Sequence, residues 1–338
     1  MERIRVCVVG LGYWGPNILR SINRISTYKL VGIVDLDLHR AEELSKTLNL
    51  DVKFSDRLDK FLKDNKVDLV IIATPPKTHF SLAKLALQSG ANILVEKPFT
   101  ENLKNTLEIC SLARELNRKI FVDHTYLFSS AVEKIKMLIS NSECGDLQYY
   151  TSTRSNLGII QKDVSVIDDL AIHDFAIINY LFDSEIEEIS VFSSIFKPSK
   201  HASTANLNMK FKSGALAFVQ VSWNSPIKIR NILISCANKS IIWDDVEQIN
   251  KLKIQSNIIE EFGDVKTRQI SYTTSDAIVP YLEVRESLES LLFHVSDSFH
   301  TGSDIIGPRE ILKTQRLLEA ANLSLDLNGR VVRVEHGE

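Results

Sequence analysis

The chain has 338 residues, too long for one small domain and suited to two. Hydrophobic residues make up 44% and charged residues 25%, enough to bury a sizeable core, and a formal net charge of −3 leaves no broad basic surface for nucleic acid or an anionic membrane. Cys7, Cys110, Cys144 and Cys236 are scattered with no Cys-x-x-Cys pair, which points to reduced, mostly buried thiols and not to a metal centre or a disulfide framework. No apolar run approaches the roughly 18 residues of a membrane span. The stretch Met1 to Val9 is too short for a signal segment, so a cytoplasmic protein without a membrane partner is expected.

In chain order, Val6-Cys7-Val8-Val9 is an apolar, β-branched strand followed at once by glycines. A helix is expected over about 15–26, a buried strand over 30–34, a helix over 39–47 and a short strand at 53–54. The pattern continues with a helix over 56–65, a strand over 69–72, a helix over 78–89 stopped by Gly90, a strand over 92–95, a helix over 103–117 and a strand over 120–122. Strands without polar alternation, each separated by a helix, predict a doubly wound parallel sheet, a Rossmann domain over residues 1–122. Ligands of such sheets bind outside the carboxyl ends of the strands. Gly10, Ala73-Thr74, Glu96-Lys97 and Asp123-His124 all fall at such ends.

After Phe128 the texture changes to polar-punctuated strands, expected at 147–154, 186–196, 205–210, 215–223, 230–237 and 240–244, with a helix over about 169–182. Hairpin turns at 212–214 and 238–239 suggest an antiparallel sheet, hence an α+β second domain over residues 123–338 that closes with helices at about 281–301 and 308–325. Trp223 and Trp243 are expected to pack within or between the sheet faces.

Gly10-Leu11-Gly12-Tyr13-Trp14-Gly15 fits G-x-G-x-x-G between a strand and a helix, where the glycines allow a tight turn and close approach of backbone to pyrophosphate. Asp35 ends the next strand, where a carboxylate accepts ribose hydroxyls and repels a 2′-phosphate. NAD is therefore expected over NADP, with Arg40 as the residue that could upset the preference. Leu94-Val95-Glu96-Lys97-Pro98 then sets two opposite charges at a strand tip facing the same end of the sheet as the glycine turn. An ammonium there can hold a reacting hydroxyl or carbonyl and stabilise developing negative charge.

Together, the glycine turn with Tyr13-Trp14-Gly15-Pro16-Asn17, the Ala73-Thr74-Pro75-Pro76 segment with His79, and Glu96-Lys97-Pro98 resemble the Gfo/Idh/MocA oxidoreductases. The similarity spans the Rossmann half and continues to residues 169–174. It implies that Lys97 is catalytic, that Thr74 and Pro75 line the cofactor cleft with Tyr13, Trp14 and Glu96 beside them, and that the second domain carries an open antiparallel sheet used for homo-oligomers, dimers or tetramers; His79 is read either as lining the cofactor cleft or as a core or capping group. Asp169 and His173 lie four residues apart on one predicted helix face, so the carboxylate can orient the imidazole. In the family, an aspartate and a histidine at this spacing supply the proton acceptor, which implies that role for His173 with Asp169.

Val166-Ile167-Asp168 replaces glycines common before that aspartate, and Asp123-His124-Thr125-Tyr126 replaces a common Asn-His segment, which leaves the substrate the most open point. The Tyr-Trp-Gly-Pro-Asn turn and Arg154-x-Asn156-Leu157-Gly158 resemble the nucleotide-sugar branch, which acts at C3 of UDP- or TDP-linked hexoses. Arg154 and Asn156 are read either as contacts to sugar hydroxyls or phosphate or as plain strand-end solvation; His124 is read as lining the substrate cleft or as a core group. Lys162, Lys197, Lys200 and Arg230 are candidate diphosphate contacts that spacing does not separate. The expectation is an NAD-dependent oxidoreductase acting on a secondary alcohol or ketone carbon of a sugar, with no metal. The competing readings are an NAD-dependent glycosidase that oxidises C3 transiently, an inositol or free-sugar dehydrogenase, and a non-catalytic dinucleotide-binding protein.

Overall fold

The computed structural model describes residues 2–157, 160–161, 163–197, 199–262, 269–302 and 304–337. Contacts divide the chain into two compact units, Met1–Ser129 with Arg285–Arg316, and Ser130–Val284 with Leu317–Glu338.

The first unit is built on six parallel strands, β1 (Ile4–Val9), β2 (Tyr28–Val34), β3 (Lys53–Ser55), β4 (Leu69–Ile72), β5 (Asn92–Glu96) and β6 (Ile120–Asp123), in the order β3-β2-β1-β4-β5-β6. The connecting helices are α1 (Gly15–Arg24), α2 (Leu38–Leu48), α3 (Leu58–Asp64), α4 (His79–Gln88) and α5 (Leu103–Glu115). Val6, Cys7, Val8, Leu69, Val70 and Ile93 are fully buried, as a sheet covered on both faces requires. Each such side chain contributes about 1.5–3 kcal/mol of apolar burial. This order reverses direction between β1 and β4, and the crevice at that switch lies at the carboxyl strand ends.

A later segment completes this unit. Sequence pattern assigned residues 285–316 to the second domain, yet α8 (Ser287–Thr301) and the loop after it pack with the first. The Tyr28 hydroxyl donates to the Leu292 carbonyl at 2.6 Å, and Phe121 stacks on Phe299 at 6.4 Å between centroids. Strand β6 is the sheet edge, and its Val122 N–H donates to the Ile306 carbonyl at 3.0 Å. An open edge and an apolar helix stripe thus satisfy each other, a pairing no local pattern reveals. The helix expected from about residue 281 begins at Ser287, because Glu286 is extended (φ −80°, ψ 121°).

The second unit carries a nine-stranded sheet of β7 (Leu147–Leu157), β8 (Ile186–Ser194), β9 (Thr204–Phe211), β10 (Leu216–Ser222), β11 (Asn224–Cys236), β12 (Lys239–Asp244), β13 (Leu252–Phe262), β14 (Gln269–Thr274) and β15 (Val332–Arg333). Its order is β14-β13-β12-β11-β7-β10-β9-β8-β15. The expected antiparallel sheet is in fact mixed, because β7 and β10 run parallel. The cause is geometric. Strand β7 is inserted between β10 and β11, which are joined through Trp223 and run in opposite directions, so it must be parallel to one of them. Strands β13 to β15 were not foreseen, nor was the extent of helix α6 (Ser130–Ser140).

Alternation along β9 and β10 buries Ala205, Leu207, Met209, Phe211, Ala217, Val219 and Val221 on one face. Helix α7 (Ile172–Leu181) buries Phe175, Ile177, Ile178 and Leu181, and the adjoining Phe182 ring meets Phe211 edge-on at 5.8 Å. Helix α9 (Pro308–Asp326) joins β8 through Ser324, whose hydroxyl oxygen accepts the Val191 N–H at 3.0 Å. Tyr149, Leu216, Phe218 and Ile242 point away from this core and are 36–42% exposed. All four cysteines are buried free thiols, and among the described residues no helix is long and apolar enough to cross a membrane.

Candidate active site

In the first unit the glycine turn leaves β1 through Gly10, whose φ of +93° lies in the left-handed region that glycine tolerates. A Cβ on Gly10 would stand 2.7 Å from the Ala73 carbonyl oxygen, and one on Gly15 would stand 2.5 Å from the Gly10 carbonyl oxygen. Both positions need a bare backbone so that strand, turn and helix can touch. Gly12 differs: its Cβ would meet only the Ala73 oxygen, at 3.9 Å, and the residue is exposed. No side chain caps α1, so its N-terminal dipole faces outward. Tyr13 and Trp14 beside it are exposed and meet edge-to-face at 5.9 Å.

Asp35 is fastened from two sides, its Oδ2 accepting the Leu11 N–H at 2.5 Å and its Oδ1 the Asp37 N–H at 2.8 Å. The carboxylate is thereby set beside the turn. Arg40 donates to the Gly12 carbonyl at 3.4 Å, from the first turn of α2. An open backbone at Gly12, an uncapped helix and an anchored acid fit the pyrophosphate and ribose of a dinucleotide.

At the next strand ends, Thr74 is half-buried and its Oγ1 accepts from the Thr78 hydroxyl at 2.7 Å; Pro75 is exposed. His79 is fully buried, with Nδ1 2.9 Å from the Pro98 carbonyl and Nε2 2.7 Å from the Thr74 carbonyl. It therefore braces two strand-end loops, and burial holds its pKa below the usual histidine range. Lys97 is half-buried and is joined to Pro98 by a cis peptide bond. Beside it, Glu96 and Asp123 are paired in register on β5 and β6, and both are buried. His124 is buried; burial first, then the Lys97 charge, pushes its pKa down to about 3, so it is neutral. Glu96 Oε1 and His124 Nδ1 are buried without a hydrogen-bond partner.

In the second unit, residues Ile167–Ala171 form a π-helical turn that runs into α7, in place of the continuous α-helix expected there. Such wide turns favour functional positions because they re-aim side chains. Asp168 stabilises the turn, accepting from the Ser165 N–H at 2.9 Å and the Asn322 amide at 3.2 Å. Asp169 and His173 are both half-buried, and Asp169 Oδ2 accepts the Trp223 indole N–H at 2.9 Å. Trp223 is buried, as expected; its hydrogen bond to Asp169 was missed, because no spacing links residues on β-sheet and turn so far apart.

Arg154 is 4% exposed, and its Nε donates to Asp174 Oδ2 at 2.7 Å. Asp174, fully buried, also accepts the Tyr150 hydroxyl at 2.8 Å, so Arg154 is tied to the first turn of α7. Asn156 is half-buried further along β7. Lys197 and Lys200 are exposed, and Arg230 faces Asp245 at 3.7 Å. Gly158 and Lys162 lie outside the described residues.

Residues 4–124 match the oxidoreductase family with an NAD-binding Rossmann fold, and residues 132–242 match the GFO/IDH/MocA C-terminal domain. The chain belongs to the Gfo/Idh/MocA oxidoreductase family. It is thus an NAD-binding oxidoreductase, with the cofactor turn, Asp35 and Lys97 in the family's Rossmann domain and Asp169 and His173 in its C-terminal domain. Among relatives, it is 29% identical over 239 residues to the scyllo-inositol 2-dehydrogenase (NAD(+)) of Bacillus subtilis (strain 168), covering 67% of this chain and 69% of that one. The fold is shared with UDP-N-acetylglucosamine 3-dehydrogenase GnnA from Acidithiobacillus ferrooxidans, at a TM-score of 0.81 and 20% identity over 97% of this chain and 99% of that one. It is shared equally with GenD2 from gentamicin A biosynthesis in complex with NAD, at a TM-score of 0.82 and 20% identity over 99% and 97% of the two chains.

Proposed function

We propose that the protein interconverts a secondary alcohol and a ketone at one ring carbon of a sugar, C3 of a UDP- or TDP-linked hexose, in the cytoplasm. The observation that carries this reading is the half-buried Lys97 at the carboxyl end of β5, in the unit that bears the glycine turn and Asp35. Bound NAD would supply the hydride acceptor. Lys97 holds the reacting oxygen and stabilises the negative charge that builds on it as the hydroxyl proton leaves. His173 takes that proton, oriented by Asp169, whose carboxylate Trp223 steadies. Glycines 10, 12 and 15, Tyr13, Trp14, Asp35, Thr74 and Pro75 hold the cofactor, with His79 bracing the loop behind them. Asn156 contacts the sugar, with His124 buried behind the strand ends, and the open sheet face around Phe218 joins copies of the chain.

A second reading has a specific observation behind it. Arg154 is tied by its Nε to Asp174, which leaves a substrate diphosphate one fewer grip, and the relative described above acts on scyllo-inositol. A cyclic polyol is therefore the alternative substrate class.

The test is to incubate the protein with NAD and a panel of UDP- and TDP-hexoses, free hexoses and inositols, following the absorbance of reduced cofactor. Nucleotide sugars should react, and Lys97→Ala should lower turnover on the order of 10²–10³-fold. Reaction with inositols alone establishes the second reading. Release of the nucleoside diphosphate from C1 without accumulation of reduced cofactor identifies a glycosidase-type reaction, and silence across the panel rejects all three.

A further inference from the structure

Glu96 and Asp123 close the carboxyl ends of neighbouring strands, in register with each other. Their environments differ. Asp123 Oδ1 accepts both the backbone N–H of Thr125, at 3.1 Å, and the Thr125 hydroxyl. Two donors on one oxygen favour the ionised form of Asp123, against the burial that raises its pKa. Glu96 is 9% exposed, and its Oε1 has no hydrogen-bond partner. A buried carboxylate with an orphaned oxygen would carry a large desolvation cost, whereas a neutral carboxyl group tolerates it.

The register that sets two buried acids side by side supplies the decisive constraint. Two carboxylates offer four acceptor oxygens and no donor, so two acids buried side by side keep one proton between them. The Thr125 donors on Asp123 and the orphaned Glu96 Oε1 together favour the proton on Glu96.

We propose that Asp123 is a positioning residue for the Lys97 ammonium, sharing with Glu96 the one proton that leaves these three side chains electrically balanced. Burial first, then the Asp123 charge, holds the Glu96 carboxyl well above its ordinary range, in the same sense. The charged or titratable groups around the pair are Lys97 and the neutral His124; on the β4 side the chain presents Thr74, with His79 held by the Thr74 and Pro98 carbonyls. With both acids ionised, Lys97 would face two negative charges and be drawn into the strand ends. With a single charge, Asp123 holds the ammonium from behind while leaving it available to a reacting oxygen. The proposal rests on the reading of Lys97 as the oxygen-binding group, but its proton does not.

That independence shapes the experiment. The folded protein should keep one proton that the unfolded chain has released, so stability should fall as pH rises from the ordinary carboxyl range toward neutrality. Buried neutral histidines such as His124 slope the other way, so the quantity to read is the difference between wild type and Glu96→Gln, in which an amide N–H replaces the shared proton. In cofactor-free protein, the denaturant midpoint of wild type should decline relative to Glu96→Gln across about pH 5 to about pH 8, with the slope of one proton. Infrared spectra at neutral pH should show a carboxylic-acid carbonyl band in wild type that Glu96→Gln removes. Parallel midpoints, or no such band in wild type, overturn the shared proton, and the wild-type band decides the matter should the variant not fold. For the positioning role, Asp123→Ala should lower kcat at least tenfold with little change in NAD affinity, and Asp123→Asn should recover part of the loss. Equal kcat in Asp123→Ala and wild type overturns that role. A protein inert on every sugar but carrying the band sinks the function and leaves the proton standing.

Discussion

The indole N–H of Trp223 reaches a carboxylate that lies on a different element, and one atom decides what that contact is worth. Trp223→Phe keeps an aromatic ring in the core but withdraws the donor to Asp169 together with part of the indole's buried volume. A hydrogen bond to a charged group contributes about 1.5–3 kcal/mol, which corresponds to roughly a tenfold to hundredfold loss if it is made fully in the transition state. We expect kcat to fall by about that factor while the circular dichroism spectrum stays unchanged; a variant with wild-type kcat would remove Trp223 from the catalytic apparatus. Residues that act through short spacing were legible in the sequence: the three glycines, Asp35 at the end of β2, Lys97 at the tip of β5. Residues that act through folding were not. Arg154 reads as a sugar or phosphate contact or as a solvated strand end, with nothing to announce its pairing with Asp174, and Asp123 reads as a strand end until Glu96 is found beside it.

Among the elements, the glycine turn is the one whose geometry tolerates least. Helix α1 lies so close to β1 that a methyl group at Gly15 would stand 2.5 Å from the Gly10 oxygen, which is backbone and cannot swing aside. Gly15→Ala should therefore push the helix away from the strand and weaken NAD binding at least tenfold, measured by calorimetry, with overpacking costing about 1–3 kcal/mol of stability. Unchanged affinity would mean that the turn relaxes without disturbing the phosphate cradle. Most elements of the first sheet were readable because apolar strands and amphipathic helices alternate with short turns. In the second unit, alternation revealed β7 to β12 but not β13 to β15. The parallel β7–β10 pair follows from strand insertion, a long-range event that leaves no periodic trace. The π-helical turn at Ile167–Ala171 was equally hidden, since its residues are ordinary helix formers.

For the molecule as a whole, the first unit depends on residues far along the chain. Tyr28, Phe121 and Val122 all have their partners between Leu292 and Ile306. A fragment ending at Ser129 would expose those partners' contact surface and leave the β6 edge open. Such a fragment should melt well below a version in which residues 285–316 are appended through a flexible linker, read by thermal unfolding and by NAD binding. Equal melting temperatures would make α8 an accessory and not a part of the fold. The domain border drawn near residue 122 was placed where the strand pattern changes, which marks the end of the parallel sheet but says nothing of which later helix returns to it.

The chain crosses between its two units three times, after Ser129, after Val284 and after Arg316. On the ribosome, where domains generally fold from the N-terminus as synthesis proceeds, the nucleotide-binding portion cannot be finished when its strands emerge. It waits, one edge uncovered, while the whole intervening sheet is made. Acquisition of NAD is thereby deferred until residues 285–316 have been made and have returned to it.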